Sequence, residues 1–158
     1  LITAETFLGP AAGDRVIDLY CGIGAGLVRW RKTTAHVVGV ELSEESVSCA
    51  RQNAPGATVL RGACRHRLPQ LTAALESDHA RRLVYVNPPR TGLEPETAHW
   101  LATRGRPDRL AYLSCNAATL KRDLERLEAA GYTVSSLLPL DFFPYTRHLE
   151  ILALLNRQ

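Results

Sequence analysis

A chain of 158 residues suffices for one domain with a real core and is short for two. Apolar residues make up 46% and charged residues 22%, which excludes disorder as the default, and the net charge of +3 permits an acidic partner without requiring one. No run can cross a bilayer and no basic-then-apolar leader opens the chain, so a cytoplasmic protein with no membrane partner is expected; Cys21, Cys49, Cys64 and Cys115 show neither CxxC nor zinc-ligand spacing, so neither a disulfide framework nor a metal site is expected.

Taken in chain order, strand and helix alternate. "DRVIDLY" is a short apolar strand ending in a Gly-rich turn, and "AGLVRWRKT" follows as a helix. "HVVGVEL" is the second strand, and "SEESVSCARQNA" a helix opened by Ser43, with Glu45 and Ser46 in its first turn. "ATVLRG" is the third strand and "RLPQLTAALES" a helical segment. "RLVYVNPPR" is the fourth strand, stopped by two prolines. "LEPETAHWLATRG" is a helix, "RLAYLS" the fifth strand, and "AATLKRDLERLEAAGY" a helix with Leu120, Leu124 and Leu127 on one face. "TVSSLLPLD" and "HLEILALLN" close the chain as two strands joined by a loop. This order predicts an α/β fold of the Rossmann-like kind, a doubly wound and mostly parallel sheet with an antiparallel strand near the C-terminus, spanning residues 1–158 as a single domain.

Ligands of such sheets bind beyond the carboxyl ends of the strands, and the unusual residues fall there. Strand one ends in Tyr20-Cys21-Gly22-Ile23-Gly24, followed by Ala25. Glycines let a ligand approach the backbone, and the helix N-terminus offers free N–H groups. Glu41 ends strand two, where an acidic side chain can accept hydrogen bonds from both ribose hydroxyls of an adenosine; an ordinary capping or surface Glu is the plainer reading. Leu27 stands where a third glycine of GxGxxG would be, which argues against a dinucleotide and toward S-adenosylmethionine. Asn87 ends strand four, fixed by the prolines behind it, and its paired donor and acceptor could hold a planar base or an amine; it also suits a loop terminator.

Cys115 sits where strand five stops and a helix begins. A cysteine inside the strand would be a small hydrophobe; at a helix N-terminus the dipole favours a thiolate, so Cys115 is placed as a nucleophile is. Cys21 lies in the glycine turn, where a small residue is needed, and Cys49 and Cys64 read as structural. Glu150 opens an otherwise apolar stretch, where a carboxylate is expensive unless paired or used; Arg147 and His148 could pair with it. The arginines of "RGACRHRLPQ" and "LATRGRPDRL" could meet phosphates or form a solvated surface.

"DLYCGIG", "VVGVE", "NPPRTGL", "LSCNAATLKRDL" and "FPYTRHLE", in this order along nearly the whole chain, resemble the catalytic domain of the S-adenosylmethionine-dependent RNA (uracil-5-)-methyltransferases, which make 5-methyluridine in tRNA and rRNA. The resemblance implies that Cys115 is the nucleophile and Glu150 the general base, and that Tyr20, Gly22, Gly24, Ala25, Glu41 and Asn87 lie about the cofactor. It implies RNA as partner, with the uridine flipped into the site. Three departures stand out. The family reads DPPR where this chain has Asn87. Its acidic residue after strand three is replaced by the run Arg61-Gly62-Ala63-Cys64. Its upstream segment, with a cofactor-contacting glutamine, and its N-terminal RNA-binding barrel are missing. With no methionine in the chain, a trimmed or partial protein is expected.

The chemistry accounts for the two catalytic types. Carbon 5 of uracil is too weak a nucleophile for a sulfonium methyl; a thiolate adding at carbon 6 makes it an enolate carbon, and a base must then remove the carbon 5 proton so that the thiolate can leave. Two alternatives stay open on sequence: an amine N-methyltransferase using the Asn-Pro-Pro loop, and a non-catalytic cofactor- or RNA-binding module.

Overall fold

The apolar run after Asp14 forms β1 (Arg15–Leu19), which lies at the centre of the sheet, parallel to β2 (His36–Glu41) on one side and β4 (Arg82–Val86) on the other. β3 (Thr58–Arg61) extends the sheet beyond β2, and β5 (Arg109–Ser114) extends it beyond β4. β7 (Glu150–Arg157) runs antiparallel against β5, and β6 (Tyr132–Leu140) closes that edge, giving the order β3-β2-β1-β4-β5-β7-β6. The switch point of this doubly wound sheet lies between β1 and β4. This is the architecture expected from the strand–helix alternation. The computed structural model describes residues 1–76, 79–142, 144–146 and 149–158.

Helices cover both faces. α1 (Ile2–Leu8), α2 (Ala25–Trp30) and α3 (Glu44–Asn53) bury Leu8, Leu27, Trp30 and Val47 on one side. α4 (Leu68–Leu75), α5 (Pro95–Trp100) and α6 (Ala117–Ala129) bury Leu71, Trp100, Leu120, Leu124 and Leu127 on the other. β1 feeds both cores by its period of two: Val16 joins the first cluster, Ile17 and Leu19 the second. Ser43 caps α3 as expected, its hydroxyl accepting from the Ser46 N–H at 3.2 Å.

The structure departs from the sequence reading in places. α1 was not anticipated. Tyr20 is not a strand residue but a turn residue with φ 61°. Tyr132 opens β6 rather than ending α6, because Gly131 at φ 91° breaks the helix. α5 gives way after Trp100 to a wider π turn, Leu101–Gly105. β7 begins at Glu150, leaving Leu149 outside the strand. Cys49, read as structural, is exposed on α3 and packs nothing into the core.

Candidate active site

The turn after β1 and the end of β2 are built as one unit. Glu41 spends its carboxylate on backbone donors: Oε2 accepts from Gly22 N–H at 3.0 Å, and Oε1 from Leu42 and Ser43 N–H at 2.8 Å each. It therefore does cap the turn, as its plainer reading held, while still lining a cleft. With three acceptor positions used, lone-pair capacity remains on Oε2. Gly24 needs its glycine twice over, for φ 86° and because a Cβ would come within 3.0 Å of Ala50 Cα in α3. Ala25 follows as the first residue of α2.

Two cavities meet at the switch point. The larger, about 540 Å³, lies between Glu41, Leu42, the Gly62–Ala63 backbone and the loop after β4. The smaller, about 250 Å³, is bounded by Asp18, Ala25, Tyr85 and Leu113. Tyr20 and Asn87 line both, so they stand at the junction. Tyr20, Ala25, Glu41 and Asn87 are thus gathered on one rim. Gly22 and Gly24 form the turn beneath and line neither cavity.

Asp18 is a functional candidate that the sequence reading passed over. It is 1% exposed, and its Oδ2 accepts from Trp30 Nε1 at 2.9 Å. Its Oδ1 is buried without a hydrogen-bond partner among the described residues. Burial pushes the carboxyl up to about 7, against the pull of the Trp30 hydrogen bond. Gly26 is glycine because a Cβ there would lie 2.0 Å from Asp18 Oδ2. The available signal was an acid in the middle of the apolar run "VIDLY". Tyr85, on β4, lines the smaller cavity with Asp18 and has its phenol pushed up by burial and then by the charges of Asp18 and Glu150.

Cys115 follows the last residue of β5 and precedes Asn116, the N-cap of α6, whose side-chain oxygen accepts from Ala118 N–H at 3.0 Å. It is half-buried. The last rung joining β5 to β7 is Ser114↔Ile151. Continued one step beyond the end of β5, the antiparallel register sets Cys115 opposite Glu150, 35 positions away in sequence. Neither lines the two cavities. Glu150 is half-exposed, so its cost in an apolar stretch is smaller than the sequence suggested. The remaining cysteines differ. Burial pushes the Cys64 thiol up to about 12 and drives Cys21 higher still, so neither offers a thiolate, though both line the cavities. Arg147 and His148, the alternative partners of Glu150, and Phe143 of the "FPYT" motif lie outside the described residues.

Most of the clustered arginines have partners within the chain, Arg61 and Arg65 from exposed positions. Arg61 pairs with Glu44 at 2.9 Å, Arg65 with Glu94, and Arg67 donates to the Arg61 carbonyl. Arg109 donates to the Phe7 carbonyl at 2.7 Å and so docks α1. Arg104 and Arg106 stay exposed.

A switch-point cleft, an acid at the end of β2, and a cysteine and a glutamate at the adjoining ends of β5 and β7 agree with what the chain is similar to. The sequence model of the tRNA (uracil-5-)-methyltransferase family matches residues 64–158, more than half of the chain. An uncharacterized RNA methyltransferase of Gloeobacter violaceus is 39% identical over 151 residues, covering 92% of this chain and 31% of that protein. The 23S rRNA (uracil(1939)-C(5))-methyltransferase of Hahella chejuensis is 38% identical over 99% of this chain and 36% of its own length. Among solved structures, the Pyrococcus abyssi tRNA (uracil-54, C5)-methyltransferase in complex with S-adenosyl-L-homocysteine superposes with a TM-score of 0.75 at 27% identity, over 98% of this chain and 37% of that one. The chain spans about a third of the length of the curated relatives it matches. On the matched residues and the fold together, the chain belongs to the tRNA (uracil-5-)-methyltransferase family.

Proposed function

We propose that this chain is the catalytic part of an enzyme that transfers a methyl group from S-adenosylmethionine to carbon 5 of a uridine in RNA. The observation that carries the reading is the β5–β7 register, which continued one step beyond Ser114↔Ile151 sets Cys115 opposite Glu150, at the same end of the sheet as the Glu41–Asn87 cleft. Relatives named for tRNA and for rRNA both support RNA as the substrate class.

The residues present fit the cofactor. The larger cavity takes a nucleoside, with Glu41 at the ribose and the Gly62–Ala63 backbone beside the base. The smaller takes the amino-acid end, where the unpartnered buried oxygen of Asp18 suits an ammonium. Tyr20 and Asn87, lining both, would hold the part of the cofactor that joins its nucleoside to its amino-acid end. When bound, S-adenosylmethionine supplies a methyl group on a positively charged sulfur.

The chain's own residues do the rest. The Cys115 thiolate adds to carbon 6 of the uracil, and the electron pair of the 5,6 double bond moves toward the carbonyl, making carbon 5 nucleophilic. Holding that carbon in line with the methyl is the work of the loop carrying Asn87 and of the β5 end. After transfer carbon 5 bears both methyl and hydrogen. Glu150 takes that proton, the double bond re-forms, and the Cys115–carbon 6 bond breaks with its electrons returning to sulfur. The base must leave its stack to reach Cys115, so the target is a flipped nucleotide.

RNA carrying 5-fluorouridine tests this, since fluorine at carbon 5 cannot leave as a proton does. Incubation with S-adenosylmethionine should give a denaturation-resistant protein–RNA adduct whose crosslinked peptide contains Cys115, and Cys115→Ser should give none. Methylation of RNA by Cys115→Ala at an appreciable rate would exclude the covalent route.

A further inference from the structure

α6 does more than present Cys115 at its start: its first two turns grip the loop that walls the cofactor cavity. That loop, residues 87–93, contributes Asn87, Pro89, Thr91 and Gly92 to the larger cavity. Its backbone is held by four side chains of α6 and its cap. Asn116 Nδ2 donates to the Arg90 carbonyl at 3.3 Å, and the Thr119 hydroxyl lies 3.2 Å from the same oxygen. Arg122 Nη2 donates to the Thr91 carbonyl at 3.0 Å. Asp123, wholly buried, accepts from Leu93 N–H at 2.8 Å through Oδ2.

Asp123 also ties this grip to the strand that leads to Cys115. The same Oδ2 accepts from the hydroxyl of Tyr112 on β5 at 2.8 Å, and Oδ1 accepts from Arg122 Nε at 2.9 Å. The loop is shaped to admit it. Gly92 has φ 77°, and a Cβ there would lie 2.6 Å from both Arg122 Nη2 and Asp123 Oδ2. A buried carboxylate with this many charge-assisted partners holds its neighbours in one geometry, and loss of one partner is costly.

We propose that Asp123 and Arg122 are positioning residues that fix the distance between the cofactor-lining loop and the Cys115 strand end. Neither lines the larger cavity. They act through the Thr91–Leu93 backbone, so that cofactor position and thiol position are set by one clamp. This rests on the reading of Cys115 and the cleft given above. A displacement of about 1 Å in a reacting pair is enough to cost on the order of a hundredfold in rate.

The test uses the full chain with Arg122→Ala, Asp123→Asn and, as a control on the same helix, Lys121→Ala, whose side chain is exposed and lies 3.8 Å from Glu125. Calorimetry with S-adenosylhomocysteine and steady-state KM values for S-adenosylmethionine and for RNA are measured well below each variant's melting temperature. The expected result is a rise of about tenfold in the S-adenosylhomocysteine Kd and in the cofactor KM for both clamp variants, an RNA KM within about twofold of the parent, and no change for Lys121→Ala. Arg122→Lys, which can restore one donor to the Thr91 carbonyl, should recover part of the affinity. Because Asp123→Asn leaves a buried site altered and risks unfolding, Arg122→Ala, with its side chain 42% exposed, decides the matter alone if needed. A folded Arg122→Ala that binds S-adenosylhomocysteine as the parent does, or whose RNA KM rises in step with its cofactor KM, overturns the clamp. A parent that itself fails to bind S-adenosylhomocysteine overturns the functional reading as well, which separates the two failures.

Discussion

Cys115 and Glu150 stand at adjoining positions one step beyond Ser114↔Ile151, the last rung of the only antiparallel contact that β5 makes among the described residues. A parallel strand in that place would have presented its other end to Cys115. The reversal of β7, inserted between β5 and β6, therefore sets the start of β7, with Glu150, at the end of β5 that leads to Cys115. On the roles proposed above, Glu150→Gln should still form the adduct and transfer methyl, because neither step needs the base, but should fail to release product. Denaturing gels of Glu150→Gln with natural RNA should show an accumulating crosslink containing one transferred methyl group. Turnover at the parent rate would assign proton removal to water or another side chain.

Glu41 links the glycine turn to the start of α3 through three backbone donors, and the ribose hydroxyls would be added to that load. Glu41→Ala should lower S-adenosylhomocysteine affinity by at least tenfold, since a hydrogen bond to a charged group contributes about 1.5–3 kcal/mol. Glu41→Gln, which keeps one acceptor oxygen, should fall between. Calorimetry showing parent-like affinity in Glu41→Ala would leave Glu41 with its capping role alone.

Asp18 gives the fold a pH dependence of definite sign. Its carboxyl titrates at 3.8 when unperturbed and at about 7 in the fold, so the folded state holds the proton more tightly. The stability from this group is fully present below the unfolded value, is lost as pH rises through the folded value, and is then level. Asp18→Asn can still accept from Trp30 and cannot ionise. Urea titrations should show the variant gaining on the parent from about pH 4 to about pH 7 and holding a level difference above that. Cofactor binding should run the other way. An ammonium beside Asp18 favours the carboxylate, so parent affinity for S-adenosylhomocysteine should rise from about pH 6 to about pH 8, while Asp18→Asn binds more weakly with a flat profile. A flat profile in the parent would take Asp18 off the cofactor site.

How much of this the sequence disclosed depends on where the information resides. The alternation from β1 to α6 was legible because each element has its own period and its own stop, such as Pro88 after β4 or Ser43 before α3. α1 was not, because seven residues do not make a stable helix by propensity; it is held by tertiary contacts, the 2.5 Å Arg29–Glu5 pair and the Arg109 bond to the Phe7 carbonyl. Cys115 was legible from its place at a strand end. Asp18 and Asp123 were not, since a buried acid acquires meaning from partners far along the chain, Trp30 for one and Tyr112 and Leu93 for the other. The partners of Arg61, Arg65 and Arg67 were hidden for the same reason.

Asn87 is the departure from the family pattern with the most direct chemical consequence. It sits at the junction of the two cavities, with its backbone N–H donating to the Leu19 carbonyl at 3.3 Å. An aspartate there offers acceptors only, together with a charge. Asparagine keeps one acceptor, adds a donor and lacks the charge that would hold a cation. If residue 87 faces the cofactor's charged end, Asn87→Asp should tighten S-adenosylmethionine by about 1 kcal/mol or more, as a charge-assisted bond contributes. If it faces the uracil, the same change should shift the preference for uridine over cytidine and leave cofactor affinity alone, because the exchanged group then meets N3–H or O4 of the base. Cofactor titration and methylation of matched uridine and cytidine substrates on this one variant separate the two. A variant unchanged in both would reduce Asn87 to the stop of β4.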